Sequence, residues 1–122
     1  MAKFLTELEV KALPETDGGR SLWALVHPLV YESDLLPEPV YVPEGFVTDF
    51  ASVPRAPVVY LAMADMGQPA AVIHDYLYRF RPCPRKLADA VLEEALEVLG
   101  VSWWRRKAMW LAVRSFGWSA YK

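Results

Sequence analysis

The residues best suited to chemistry stand in the apolar stretch AVIHDYLYRF, residues 71–80, where His74 and Asp75 are adjacent. A histidine titrates near neutral pH and a carboxylate can orient its imidazole, so the pair suits a general base or a metal ligand. Helical spacing offers a structural interpretation as well. His74 shares an apolar face with Tyr78 and can be a satisfied core histidine, while Asp75 stands four residues before Arg79, as in a local ion pair. Both interpretations stay open at this point.

A second polar group stands in GFVTDFASVPR, residues 45–55, where Thr48, Asp49 and Ser52 follow a predicted strand and precede a predicted helix. A carboxylate or hydroxyl at that junction can cap the free N–H groups of the helix. The same kind of junction also exposes reactive side chains in many proteins that combine strands and helices. The sequence does not choose between a cap and a reactive group.

Further along the chain, Arg85 and Asp89 stand four residues apart, which predicts an ion pair on a helix surface or between helices. Cys83 lies between two prolines and is the chain's one cysteine, so it cannot form an internal disulfide bond. One cysteine and two histidines also cannot supply a four-ligand Cys/His zinc site.

The C-terminal segment differs in charge from the rest of the chain. Residues 1–100 hold all 15 acidic and 8 basic residues, whereas residues 101–122 hold five basic residues and no acidic one. The candidate partner-binding residues alternate tryptophan with positive charge and are Trp103, Arg106, Lys107, Trp110 and Arg114. Such a surface can bind a protein, which we favour, or a nucleic acid, which we disfavour without excluding it. The charge asymmetry also allows the last helix to dock on the acidic body of its own chain.

Periodicity places strands in the first half of the chain and helices in the second. The predicted strands cover 4–13, 21–33 and 40–50, with a turn at 17–19, and the predicted helices cover 54–67, 68–80, 84–100 and 102–117. We therefore expect an α+β fold in one domain, residues 1–122, with 1–50 mainly strands and 51–122 mainly helices. A small N-terminal antiparallel sheet of about three strands would pack against about four C-terminal helices.

Composition and motif searches exclude several classes. Hydrophobic residues make up 54% and charged residues 23%, as in a folded soluble protein. The chain lacks an apolar run of the roughly 18 residues needed for a membrane span, and its N-terminus lacks the apolar region of a signal peptide. It contains no P-loop, no GxSxG, no HExxH and no dinucleotide-binding glycine pattern.

Taken together, GFVTDFASVPR, then AAVIHDYLYR, then RKLADAVLEEALEVLGV and a Trp/Arg-rich last helix resemble a small phage- and prophage-encoded family. That family is catalogued as domain of unknown function 1353, and the resemblance covers residues 40–118. It implies a phage origin, and it supplies no activity. The family-motif positions that it implies are Thr48, Asp49, Ser52, His74, Asp75, Tyr78 and Asp89.

The resemblance favours a cluster of polar residues that unites the two stretches. Asp49 would meet His74 and Asp75 there, and Thr48, Ser52, Tyr78 and Asp89 would complete the cluster. Together with Asp89, these groups can hold one divalent metal ion, act as an acid–base pair, or form a buried hydrogen-bond network that fixes the fold. Convergence beside an open pocket would favour an enzyme. If these groups are instead buried away from solvent and hydrogen-bonded to one another, a structural role is favoured.

Two functions follow as expectations. The first is a structural or interaction protein of a phage, associated with the virion or tail, which binds a phage or host protein and resides in the virion or the host cytoplasm. The alternative is a small hydrolase, metal-assisted or not, that uses Asp49, His74 and Asp75 as catalytic residues.

Overall fold

The computed structural model describes residues 1–17, 20–48 and 67–116. The helix predicted over 54–67 lies outside these residues except for Gly67, as do Asp49 and Ser52. The strands are β1 (Lys3–Phe4), β2 (Val10–Asp17), β3 (Arg20–Leu25), β4 (Leu29–Glu32), β5 (Val40–Val42) and β6 (Val47–Thr48), and the helices are α1 (Gln68–Phe80), α2 (Arg85–Val98) and α3 (Trp103–Phe116).

The strands form two antiparallel sheets rather than the single sheet that the sequence predicts. Their orders are β1-β4-β5 and β2-β3-β6. On either side of the predicted turn at 17–19, β2 and β3 pair antiparallel up to the partners Asp17 and Arg20, as two strands of a hairpin do. The mixed α+β class is confirmed, with three helices in the described part of the chain in place of the expected four.

The single-sheet prediction is wrong because each of the three predicted strands divides between the two sheets. The stretch 4–13 divides between β1 and β2. The stretch 21–33 divides into β3 and β4 around Pro28, which has no N–H to continue a ladder. The stretch 40–50 divides into β5 and β6 at the predicted Pro-Glu-Gly turn, where Gly45 has a φ of +85°. Backbone hydrogen bonds join the two corners, from Leu25 N to Phe46 O at 3.0 Å and from Gly45 N to Leu25 O at 2.9 Å. The chain therefore passes between the sheets at these two adjacent corners, and it also does so between β1 and β2.

The helices cover the sheets through an apolar core. Helix α2 buries the face that its 3.6-residue period predicts, and the fully buried residues of that face are Ala88, Val91, Leu92, Ala95 and Leu96. These pack in one cluster with the sheet residues Leu25, Leu29 and Val42. The predicted C-cap is confirmed at Gly100, which has a φ of +84° and donates its N–H to Glu97.

One carboxylate ties α2 to the β1-β4-β5 sheet. Glu94 Oε1 accepts hydrogen bonds from the Tyr31 hydroxyl and the Ser33 hydroxyl, each at 2.7 Å, and Glu94 Oε2 accepts the Asp34 N–H at 3.1 Å. Burial and the bond to this carboxylate raise the pKa of Tyr31, so its hydroxyl keeps its proton at neutral pH. Helix α2 is thereby fixed on the sheet and can position the residues on its other sides.

In the described ranges, none of the helices combines the length and apolar character that crossing a membrane requires.

Candidate functional site

His74 lies in the middle of α1, and its side chain is completely buried. Its partner is Asp89 of α2, whose Oδ1 lies 2.8 Å from His74 Nε2. The adjacent Asp75 makes a different contact: its Oδ1 lies 3.3 Å from Arg79 Nε, which confirms the predicted local ion pair. Neighbouring residues on a helix point about 100° apart, so the His-Asp dipeptide divides between two environments.

Asp89 is the centre of the site. Its Oδ1 also accepts the Tyr78 hydroxyl at 2.5 Å, and its Oδ2 accepts Arg114 Nη1 of α3 at 2.9 Å. Arg85 Nη1 lies 3.8 Å from the same Oδ2. The carboxylate of Asp89 is completely buried, and the groups around it come from all three helices. We call His74, Tyr78, Arg85, Asp89 and Arg114 the polar centre.

Arg85 has a second task in this arrangement. Its Nη1 donates to the carbonyl oxygen of Val113 at 2.9 Å and its Nη2 to that of Arg114 at 3.1 Å. These carbonyls belong to the last described turn of α3, so Arg85 joins the start of α2 to that turn. The predicted Arg85–Asp89 pair is therefore part of a junction between helices rather than a surface pair.

Electrostatics keep the polar centre in a defined protonation state. Burial raises the pKa of Asp89, but hydrogen bonds from His74, Tyr78 and Arg114 outweigh burial and hold that pKa below its usual value. Burial, together with the bond to the anionic Asp89, raises the pKa of Tyr78. At neutral pH Asp89 is therefore ionised and accepts hydrogen bonds from a protonated Tyr78. An ionised acceptor also requires that His74 Nε2 carry a hydrogen.

The other nitrogen of His74 is different. Nδ1 is buried, and among the described residues it has no hydrogen-bond partner. In the same part of the chain, no group of three or more His, Cys, Asp or Glu side chains is placed to hold a metal ion. The expected contacts of His74 and Asp75 with Asp49 fall outside the described residues and stay a prediction, as does the role of Ser52. Thr48 is described: it is completely buried in β6 and pairs with Trp23 of β3.

Three basic residues of α3 form ion pairs with α2. Arg106 Nη2 lies 3.2 Å from Glu97 Oε2, and Lys107 Nζ lies 2.7 Å from Glu93 Oε1. Together with the bond from Arg114 to Asp89, these pairs dock α3 on the acidic side of α2. The prediction that the last helix docks on its own chain is confirmed.

Exposed apolar side chains lie on α3 beside these basic residues, with Trp103 on the helical face of Lys107 and Arg114, and with Trp104 and Leu111 on the neighbouring face. Trp103 is 65% exposed, Trp104 is 54% exposed and Leu111 is 59% exposed, whereas Trp110 is half-buried. Sequence reasoning missed Trp104 and Leu111. Their spacing of seven residues, which places them on one helix face, is the signal that could have found them.

A separate apolar groove lies between the sheets and the helices. It has a volume of about 540 Å³, and its apolar walls are Phe4, Leu8, Val10, Trp23, Pro69 and Leu99. None of the polar-centre residues lines it. Cys83 is buried, and burial raises the pKa of its thiol, which agrees with an inert role.

Comparison with known proteins gives one match. The model of a family described as "Protein of unknown function (DUF1353)" matches residues 23–113, and the chain belongs to that family. No curated protein matches the chain, and no solved structure matches it.

Proposed function

We propose that this member of the DUF1353 family is a small phage-encoded structural or interaction protein, associated with the virion or tail. In this proposal the polar centre holds the three helices together, and α3 presents its exposed aromatic side to a phage or host protein. One observation supports the first part of the proposal, that the polar centre holds the helices together. The carboxylate of Asp89 is completely buried and accepts hydrogen bonds from side chains of both neighbouring helices.

Burial argues for bracing over catalysis. A general base or nucleophile has to touch its substrate. His74 and Asp89 are completely buried and Tyr78 is 1% exposed, while the apolar groove is lined by none of them. A satisfied network of this kind fixes how helices meet, since each helix supplies a group that the others need.

The exposed side of α3 supports the interaction half. Arg106 and Lys107 are held by Glu97 and Glu93, so recognition falls to Trp103 and Trp104. Exposed tryptophans are frequent hot spots of protein interfaces. The partner-binding surface of the proposal is therefore aromatic, with less positive charge than the sequence suggests.

The experiment is to purify virions from a host that carries the gene and to measure the protein in them by mass spectrometry. We expect the native protein in virions, and a marked loss of the double variant Trp103→Ser/Trp104→Ser. Leu35→Ser is the control, because Leu35 is 45% exposed and lies outside α3. Absence of the native protein, or equal incorporation of the tryptophan variant, would contradict the proposal.

The small hydrolase remains a second candidate because of one specific observation. Asp89 holds His74 through Nε2, and Nδ1 has no partner among the described residues. A carboxylate-oriented imidazole with a free second nitrogen is the arrangement of a general base or a metal ligand. In this candidate Asp49 and Asp75 assist His74, and a divalent metal ion is a candidate cofactor.

Hydrolase activity is tested on cell-wall fragments and nucleotides, with and without added zinc or magnesium ions. The matched variants are His74→Gln and His27→Gln, the chain's two histidines. Activity that His74→Gln abolishes while circular dichroism reports an intact fold, and that His27→Gln keeps, would favour the hydrolase. Failure of the native protein to hydrolyse any substrate under either condition would count against it.

A further inference from the structure

Two apolar surfaces of this chain lack an occupant within the described residues, and they complement each other. The first is the apolar groove, whose volume of about 540 Å³ falls within the range of ligand and side-chain pockets. Glu7 lies at its edge and is exposed, and the exposed Glu9 follows two residues later. The groove therefore combines an apolar floor with an acidic edge.

The second surface is the tryptophan pair, Trp103 and Trp104, at the start of α3. Both rings are more than half exposed, and contiguous exposed apolar surface of this kind marks interaction sites. The guanidinium carbon of Arg105 lies 5.4 Å from the Trp104 ring centroid, in cation–π contact. Arg105 thus supplies a positive charge beside the two rings, although Glu97 and Glu93 pair with Arg106 and Lys107.

The tryptophan pair does not fill the groove of its own chain, since both rings are exposed. It nevertheless lies at the same end of the molecule as the groove. Leu99 forms part of the groove wall, and residues 100–102 alone separate it from Trp103. The protruding tryptophan pair and the groove thus lie side by side on one surface. Such a surface can pair with a copy of itself across a two-fold axis, with the rings of each copy in the groove of the other.

We infer that a second copy of this chain occupies the groove, with Trp103 and Trp104 of each copy inserted into the groove of the other. Arg105 of one copy then lies against Glu7 of the other, so the charges at the edge of the contact match the apolar fit. The inference rests on the proposed interaction function. It identifies a second copy of this chain as a partner of the aromatic side of α3.

Sedimentation velocity on the full chain over a range of protein concentrations tests the inference. We expect a monomer–dimer equilibrium that weakens as ionic strength rises, because the edge charges are screened. The double variant Trp103→Ser/Trp104→Ser should be monomeric throughout. Native protein that stays monomeric at every concentration would overturn the inference, as would a dimer that the tryptophan variant retains.

A charge exchange tests the geometry. Arg105→Glu and Glu7→Arg should each weaken the dimer by about tenfold through repulsion at the edge, and the two changes combined should restore most of the loss. Lys86→Glu, an exposed position at the start of α2, is the control and should leave the dimer unchanged. A combined variant no tighter than either single variant would contradict the Arg105–Glu7 contact.

The two proposals fail in different ways. A chain that is monomeric in solution yet depends on Trp103 and Trp104 for incorporation into virions keeps the proposed function and overturns the self-association. A tryptophan-dependent dimer that is absent from virions keeps the self-association and overturns the virion role.

Discussion

The contact between α2 and α3 contains ion pairs of two kinds. At one end, Arg114 meets Asp89 inside the molecule, where the carboxylate is completely buried and also bonded by α1. At the other end, Lys107 meets Glu93 at the surface, where 44% of the lysine side chain is exposed. The residue types are nearly the same, but their surroundings differ, and that difference decides how much each contributes.

Burial changes both the cost and the consequence of an ion pair. A surface pair contributes roughly 0.2–1 kcal/mol, because water and salt solvate either partner when the other is removed. When a buried ion pair loses one charge, the other charge is left uncompensated inside the protein, at a cost of about 3–5 kcal/mol. We therefore expect the stability of the helical layer to depend on the Asp89 end far more than on the Glu93 end.

The largest effect is expected for Asp89→Asn. The amide keeps the shape but removes the negative charge that pairs with Arg114, and it replaces one acceptor oxygen with a donor. The free energy of unfolding should therefore fall by about 3 kcal/mol or more. Urea unfolding measures this change. Asp34→Asn is the matched control, since Asp34 is exposed, and it should lose less than about 1 kcal/mol. Equal losses at the two positions would contradict the comparison.

Tyr78→Phe should have the next largest effect. It deletes only the hydroxyl that donates to the ionised Asp89, and hydrogen bonds to charged groups are worth about 1.5–3 kcal/mol. Urea unfolding should show a loss in that range. Tyr41→Phe, at a position that is 55% exposed, should change nothing measurable. A Tyr78→Phe variant as stable as the native protein would show that the buried bond is not a brace.

At acid pH, the free energies of unfolding of the native protein and of Asp89→Asn should differ by less than at neutral pH. The pKa of Asp89 in the folded chain lies below the usual 3.8, so its contribution is present above that value and is lost as pH falls below it. The variant has no carboxylate at this position and lacks that part of the dependence. Urea unfolding at a series of pH values below 5 should show the two stabilities converging. A constant difference across the series would mean that folding does not lower the pKa of Asp89.

The smallest effect is expected for Lys107→Ala. Its partner Glu93 stays accessible to water, so the free energy of unfolding should fall by less than about 1 kcal/mol. Added salt should reduce the difference further, whereas it should leave the Asp89→Asn loss nearly unchanged. Thermal unfolding at low and high salt checks both statements. A loss as large as that of Asp89→Asn would remove the distinction between the two ends.

The sequence predicts relations within a helix better than relations between helices. Asp75 and Arg79 form the local pair that their spacing indicates, and His74 shares its face with Tyr78, whose ring centroid lies 4.1 Å away. The contact between His74 and Asp89 could not be predicted in this way. It joins residues on opposite sides of the α1–α2 turn, and periodicity carries no information about how two helices face each other.

The sheets show the same limit. Pro28 and Gly45 mark interruptions that can be read from the sequence, and both predicted strands do break near them. An interruption can be a bulge within one sheet or a corner between two sheets, and local sequence favours neither. Leu25 forms hydrogen bonds with residues 45 and 46, and these bonds make the interruptions corners between two sheets. They link segments about twenty residues apart, so local sequence does not reveal them.

A double-mutant cycle on Tyr78→Phe and Asp89→Asn tests the central claim most directly, because it isolates the coupling between α1 and α2 from all other effects of each change. Urea unfolding of the native protein, the two single variants and the double variant supplies the four free energies. If the polar centre braces the helices, the coupling free energy should be at least about 1 kcal/mol. Losses that simply add, with no coupling, would contradict that claim.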